Sequence, residues 1–213
     1  MKIKVCGLKV PENIHAVAAL SPDYMGFIFY DKTPRFVKEL PVELLKVIPA
    51  AIIKTAVFVN ETAENIEALI AKYNFDAIQL HGNESPAFCA CFKGKVKVIK
   101  AFGLITDFDF SELDAYADNV DLFLFDTKTS SHGGSGKTFD WTILDKYDLD
   151  KPFFLSGGLS LDNLDKVKNI THPQFYGVDL NSRFEIEQGL KNIDKLETAF
   201  NLLKQDSTNE IRS

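Results

Sequence analysis

At 213 residues, 46% hydrophobic and 25% charged, the chain has the composition of a soluble globular protein and is long enough to bury a sizeable core. Its formal net charge of −6 argues against general nucleic-acid or anionic-membrane binding, which need a basic face, but allows a small anion in a locally positive pocket. No apolar run reaches the about 20 residues of a membrane helix, and the stretch before Pro11 is too short for a signal peptide. With 3 cysteines, an odd number, reduced thiols and a cytoplasmic location are expected. Cys89 and Cys91 form a C-x-C pair without further ligands at metal spacing, so they read as residues of a helix ending near Lys93. The 18 phenylalanines point to aromatic packing inside.

In chain order, the candidate strands are KIKVCG (2–7), YMGFIF (24–29), KTAVFV (54–59), DAIQLH (76–81), VKVIKAF (96–102), DLFLFD (121–126), KPFFLSG (151–157) and FYGVDL (175–180). Most are continuously apolar rather than alternating, the mark of parallel strands covered on both faces. Helical spacing and start signals fill the gaps: ENIHAVAAL after Pro11, PVELLKVI from Pro41, and TAENIEALIAKY with Thr62 as N-cap. SLDNLDKVKNI opens with Ser160, and LKNIDKLETAFNLLK runs from Leu190 to Lys204. Eight strands alternating with eight helical segments read as a single-domain (β/α)8 barrel over residues 1–205, with a polar tail at 206–213. An open doubly wound sheet is the rival arrangement.

In a barrel of this kind the chemistry lies where strands end on the C-terminal face. Cys6 closes the first run and Asp126 the sixth. A thiol there can serve as a base if a positive neighbour or helix dipole favours its thiolate, though a buried cysteine often acts as a small hydrophobe. A carboxyl at the end of Leu122–Phe125 is partly desolvated, which favours the protonated form that a general acid needs; an N-cap or an ion pair is its plainer role. Gly157 and Gly158 let backbone N–H groups approach an anion beside Ser182, in the loops where this fold class often holds phosphate; alone they would make a tight turn. Arg35, stiffened by Pro34, can hold a carboxylate with two hydrogen bonds, or simply be solvated. His81 can donate to a ligand or satisfy a loop carbonyl, and Asp179 closes the last strand. His15, His132 and His172 show no ligand spacing, so no metal is expected.

GGSGKT (133–138) resembles the end of a phosphate-binding P-loop. That motif needs a glycine five residues before Gly136, and Ser131 stands there. The helix should also start within the motif, whereas Asp140 reads as the N-cap of the next segment. The glycine stretch is better read as a loop that folds over a ligand, delivered by the strand ending in Asp126.

KVCGL (4–8), GFIFYDKTPRFV (26–37), AVFVN (56–60), IQLHG (78–82), LFDTK (124–128), GGSGKTFDW (133–141), LSGGL (155–159) and GVDLNS (177–182) together resemble the phosphoribosylanthranilate isomerase family, in family order and over nearly the whole chain. The resemblance implies a TIM barrel and a cofactor-free aldose–ketose isomerisation in tryptophan biosynthesis. The reaction would be the Amadori rearrangement of N-(5-phosphoribosyl)anthranilate to the open-chain 1-deoxyribulose 5-phosphate product. It also implies Asp126 as general acid, Cys6 as general base, and Arg35 on the anthranilate carboxylate. Gly157, Gly158 and Ser182 would hold the phosphate, and His81 and Asp179 would touch the substrate. The expected partner is a small phosphosugar, acted on by a monomer. Two departures from the family pattern are Arg183, where glycine is common, and Asn192 after Lys191, where aspartate is usual. Another phosphosugar barrel enzyme, or a binding barrel without activity, are the alternatives. The first would call for a lysine acid with glutamates or metal-binding histidines, and the second has no use for both Cys6 and Asp126.

Overall fold

A computed structural model of the chain describes residues 1–127 and 141–204. GGSGKT, Asp140 and the 206–213 tail lie outside the described residues. Eight parallel strands close into one barrel in sequence order: β1 (Lys2–Cys6), β2 (Tyr24–Ile28), β3 (Ile53–Phe58), β4 (Ala77–Leu80), β5 (Lys97–Leu104), β6 (Leu122–Thr127), β7 (Phe153–Ser156) and β8 (Phe175–Leu180). β1 pairs with both β2 and β8, which excludes the open sheet. The strands fall within the expected runs, with the ends moved by a residue or two.

Strand periodicity sorts the side chains into two cores. Ile3, Val5, Met25, Phe27, Ala56 and Phe58 face the helices, while Tyr24, Ile99, Leu122, Leu124 and Phe154 fill the barrel. The abundant phenylalanine packs as expected. Phe125 meets Phe153 at 4.9 Å between ring centroids, and Tyr24 meets Phe154 edge-on at 5.1 Å. Such pairs add about 0.5–1.5 kcal/mol each beyond the area they bury.

The helical layer is less regular than its periodicity suggested. α1 (Pro11–Ala19) starts with Pro11 in its first turn, and α2 (Val42–Lys46) is short. α3 (Ala63–Tyr73) is capped as expected, Thr62 accepting from Asn65 N at 3.3 Å. α4 (Pro86–Ala90) is capped by Ser85 and ends ahead of the expected boundary, with Cys89 buried and Cys91 exposed. α5 (Asp114–Ala117) is a single turn, and the segments after β6 and β7 are 3-10 turns, Trp141–Lys146 and Leu164–Asn169. Ser160 therefore opens no α-helix: its Oγ accepts from Asp162 N in a local turn.

The expected last helix also starts later. Leu190–Lys191 is β10, paired antiparallel with β9 (Glu185–Glu187), and α6 runs Ile193–Lys204. Asn192 Oδ1 accepts from Lys195 N at 3.0 Å, so asparagine here serves as the helix cap that the usual aspartate would provide. The β9–β10 hairpin packs against α1, where Asn13 ties it down with hydrogen bonds to Lys191 N and O at 2.7 and 2.9 Å. No described helix is long and apolar enough to cross a membrane.

Candidate active site

At the C-terminal mouth of the barrel a pocket of about 490 Å³ is lined by Cys6, Arg35, His81, Asp126, Gly157, Gly158, Asp179 and Ser182. Those are the eight residues singled out in the sequence, and the fold brings all of them to one cavity. The volume suits a ligand of a few hundred daltons.

Cys6 forms part of the floor and is only 3% exposed. It faces Gly26, its register partner on β2, where a Cβ would lie 2.7 Å from Cys6 Sγ; glycine leaves room for the thiol. Burial pushes the Cys6 thiol up, Lys4 pulls it down, Asp179 raises it further and Lys191 opposes. The net effect is a thiol held above its ordinary value, with Lys4 and Lys191 the cations that favour its thiolate.

Asp126 is the penultimate residue of β6, three strands from Cys6, between Gly103 and Ser156 in register. Its side chain is 26% exposed, so the apolar strand beneath desolvates it less than expected. His81 Nε2 stands 3.5 Å from Asp126 Oδ2. His81 Nδ1 faces Gln79 Nε2 at 3.1 Å rather than a loop carbonyl. With the amide donating to Nδ1, the ring proton would lie on Nε2, the nitrogen on the Asp126 side of the ring.

Arg35 is not solvated. Nε donates to Glu185 Oε1 at 2.9 Å and Nη2 to Oε2 at 2.6 Å. Glu185 also accepts from Lys191 Nζ at 2.7 Å and Gly189 N at 3.1 Å. Burial alone would raise the Glu185 carboxyl, but the Arg35 and Lys191 hydrogen bonds outweigh it and hold the group below its ordinary value. Gly7, at φ +82°, completes the corner: a Cβ there would lie 2.7 Å from Asn181 Oδ1 and 2.8 Å from Arg35 Cδ.

Asp179 is buried on β8, and Lys4 Nζ donates to its Oδ2 at 2.9 Å. Burial pushes its carboxyl up, against the pull of Lys4. Across the pocket Gly157 and Gly158 take φ of +90° and +65° in succession. The Thr127 hydroxyl donates to the carbonyls of Ser156 and Gly157, each at 3.0 Å, and fixes this turn against β6. Because a 3-10 turn follows, helix-dipole support for an anion is weaker than the sequence suggested. Ser182 opens a 3-10 turn, Ser182–Phe184, beside the glycines. Arg183 sits exposed in that turn without a positive φ, so glycine's freedom is not needed there, and it does not line the pocket.

Among the described residues no group of three or more His, Cys, Asp or Glu side chains could hold a metal ion. Glu185, Lys191 and Lys4 were absent from the sequence-derived site. The signal for Lys4 was its inward parity with Cys6, two residues on in the same apolar strand.

Residues 3–201 match the family model described as N-(5'-phosphoribosyl)anthranilate (PRA) isomerase. The chain belongs to that family. A curated relative from Parabacteroides distasonis, N-(5'-phosphoribosyl)anthranilate isomerase, is 47% identical over 92% of this chain and 90% of its own. The crystal structure of phosphoribosyl anthranilate isomerase from Thermotoga maritima superposes with a TM-score of 0.81 at 30% identity, covering 96% of this chain and 99% of that one. A further phosphoribosyl anthranilate isomerase structure, in complex with reduced 1-(o-carboxyphenylamino)-1-deoxyribulose 5-phosphate, gives 0.80 at 28% identity, with the same coverage of 96% and 99%.

Proposed function

We propose that this chain isomerises N-(5'-phosphoribosyl)anthranilate to 1-(2-carboxyphenylamino)-1-deoxyribulose 5-phosphate, with Asp126 as general acid and Cys6 as general base. The observation that carries this reading is the placement of a carboxyl and a thiol on different strands of one pocket. A guanidinium lies at one edge of that pocket and a two-glycine turn at another.

Asp126 donates its proton to the furanose ring oxygen as the C1–O bond breaks. The anthranilate nitrogen lone pair forms the C1=N bond, opening the sugar to a Schiff base. The Cys6 thiolate then removes the C2 proton, and the electrons of that C–H bond form C1=C2 while the C=N pair returns to nitrogen. The enolamine tautomerises to the ketone. His81, with Nε2 3.5 Å from Asp126 Oδ2, contacts the substrate beside the acid. Arg35 binds the anthranilate carboxylate, Asp179 accepts from the substrate, and Gly157, Gly158 and Ser182 hold the phosphate. The reading includes a single domain over residues 1–205, acting as a cytoplasmic monomer.

Turnover of substrate generated in situ, followed by loss of its fluorescence, tests these roles. Cys6→Ser and Asp126→Asn should each lower kcat by about 100-fold or more, the usual scale of acid–base catalysis. Wild-type kcat in either variant removes that residue from its role, and absence of turnover in the parent enzyme defeats the reading.

A further inference from the structure

Lys4 lies two residues before Cys6 on β1 and projects from the same face of the strand, into the barrel. Its side chain is 0% exposed. Its Nζ reaches Asp179, the register partner on β8, and bonds only one of the two carboxylate oxygens. Asp179 Oδ1 is buried and has no hydrogen-bond partner among the described residues, although Asp179 lines the pocket. Burying an ion pair is poor value as packing, since apolar residues of similar volume often stabilise as well or better.

We propose that Lys4 is a positioning residue for the isomerisation: its ammonium stabilises the Cys6 thiolate from below and holds the Asp179 carboxylate by its Oδ2 at the pocket wall. This rests on the assignment of Cys6 as base. The charged groups around the thiol are few. Asp179 opposes a thiolate from β8, and Asp126 adds negative charge from β6. Lys191 and Arg35 are both engaged by Glu185, and Tyr24 beside Lys4 on β2 is uncharged in its ordinary state. Lys4 and Lys191 are thus the cations that act on the thiol, and Lys4 is the one on its own strand. Asp179 and Cys6 beside it hold its ammonium above the ordinary lysine value despite burial.

The test reads thiol acidity without turnover. In a Cys91→Ser background, alkylation of Cys6 by iodoacetamide is followed by mass spectrometry as a function of pH. Lys4→Met should slow alkylation at about pH 7.5 roughly tenfold, the effect of about one unit in thiol pKa, and move the acid limb of the kcat profile upward with it. If Lys4→Met fails to fold, the comparison passes to Asp179→Asn and Lys4→Met/Asp179→Asn, which leave no lone buried carboxylate. The double variant should then react about tenfold more slowly than Asp179→Asn. An alkylation profile unmoved by loss of Lys4 in both comparisons overturns the proposal. Wild-type turnover by Cys6→Ser would instead overturn the base assignment, whatever the alkylation shows.

Discussion

Glu185 grips Arg35 by one edge only. The Nε and Nη2 side of the guanidinium is bonded to the carboxylate at 2.9 and 2.6 Å, and among the described residues Nη1 donates to no protein atom. An arginine so clasped keeps its charge and orientation while presenting its remaining donors to the pocket, which is how a planar fork can serve two carboxylates. Glu185→Gln should therefore act on binding more than on chemistry. Hydrogen bonds to charged groups are worth about 1.5–3 kcal/mol, so KM should rise about tenfold with kcat changed less than about threefold. Steady-state kinetics decides it, and an unchanged KM would show that Arg35 holds its place without Glu185.

The same carboxylate gives the fold an acid-sensitive element. Glu185 titrates below its ordinary value of 4.5 in the folded protein, so the folded state binds its proton less readily than the unfolded chain. Its stabilisation is fully present above the unfolded value and is lost as pH falls through the folded one. Urea midpoints measured from about pH 6 down to about pH 3 should fall less steeply in Glu185→Gln than in the parent. Parallel slopes would contradict this.

Lys100 and Glu84, each 2% exposed, form a further buried pair that fastens two pocket-side loops. Lys100 Nζ donates to Glu84 Oε2 at 3.0 Å and to Gly82 O at 2.7 Å, while Glu84 accepts from Asn60 N at 2.8 Å and Gly82 N at 2.9 Å. Removing one partner of such a pair costs about 3–5 kcal/mol because the other stays buried and uncompensated. Lys100→Met should therefore lower Tm by many degrees, and Lys100→Met/Glu84→Leu should recover much of the loss. Calorimetry that finds the double variant no better than the single one excludes a charge origin.

The barrel was legible because its strands are continuous apolar runs, a period-independent signal that survives small errors at the ends. The pocket lining was legible because Cys6, His81, Asp126, Gly157 and Asp179 lie at or beside the ends of those runs and the fold gathers strand ends. What escaped was every residue whose role is to face another residue. Glu185 is 150 positions from Arg35, and no spacing rule connects them. Lys100 has the pattern of a solvated lysine until β5 is placed under the loops. Regular α-helices after β6 and β7 were also over-read. Helical spacing of apolar residues is satisfied equally by short 3-10 turns, whose side chains at i and i+3 still share a face. The P-loop lookalike fails on its own missing glycine, and residues 133–138 lie outside the described residues.

Gly157 and Gly158 are neighbours that both take a positive φ but have opposite tolerance for a side chain. At Gly157, φ +90°, a Cβ would sit 2.3 Å from Thr127 O and 2.6 Å from Asp126 Oδ1. One of these is backbone of β6 and the other is the proposed acid, so relief must come from moving the strand end or the carboxyl. At Gly158, φ +65°, a Cβ meets nothing within 4 Å, and the cost is the left-handed backbone alone, about 1–2 kcal/mol. Gly158→Ala should accordingly lose that much stability with a modest rise in KM. Gly157→Ala should lower kcat by about 100-fold, because displacing a catalytic group by an ångström costs that much even when binding survives. Kinetics and urea unfolding of the two variants side by side make the comparison. Equal kcat values would mean that the turn yields at Gly157 without disturbing Asp126, and the packing of that glycine against the acid would then have no bearing on the proton transfer.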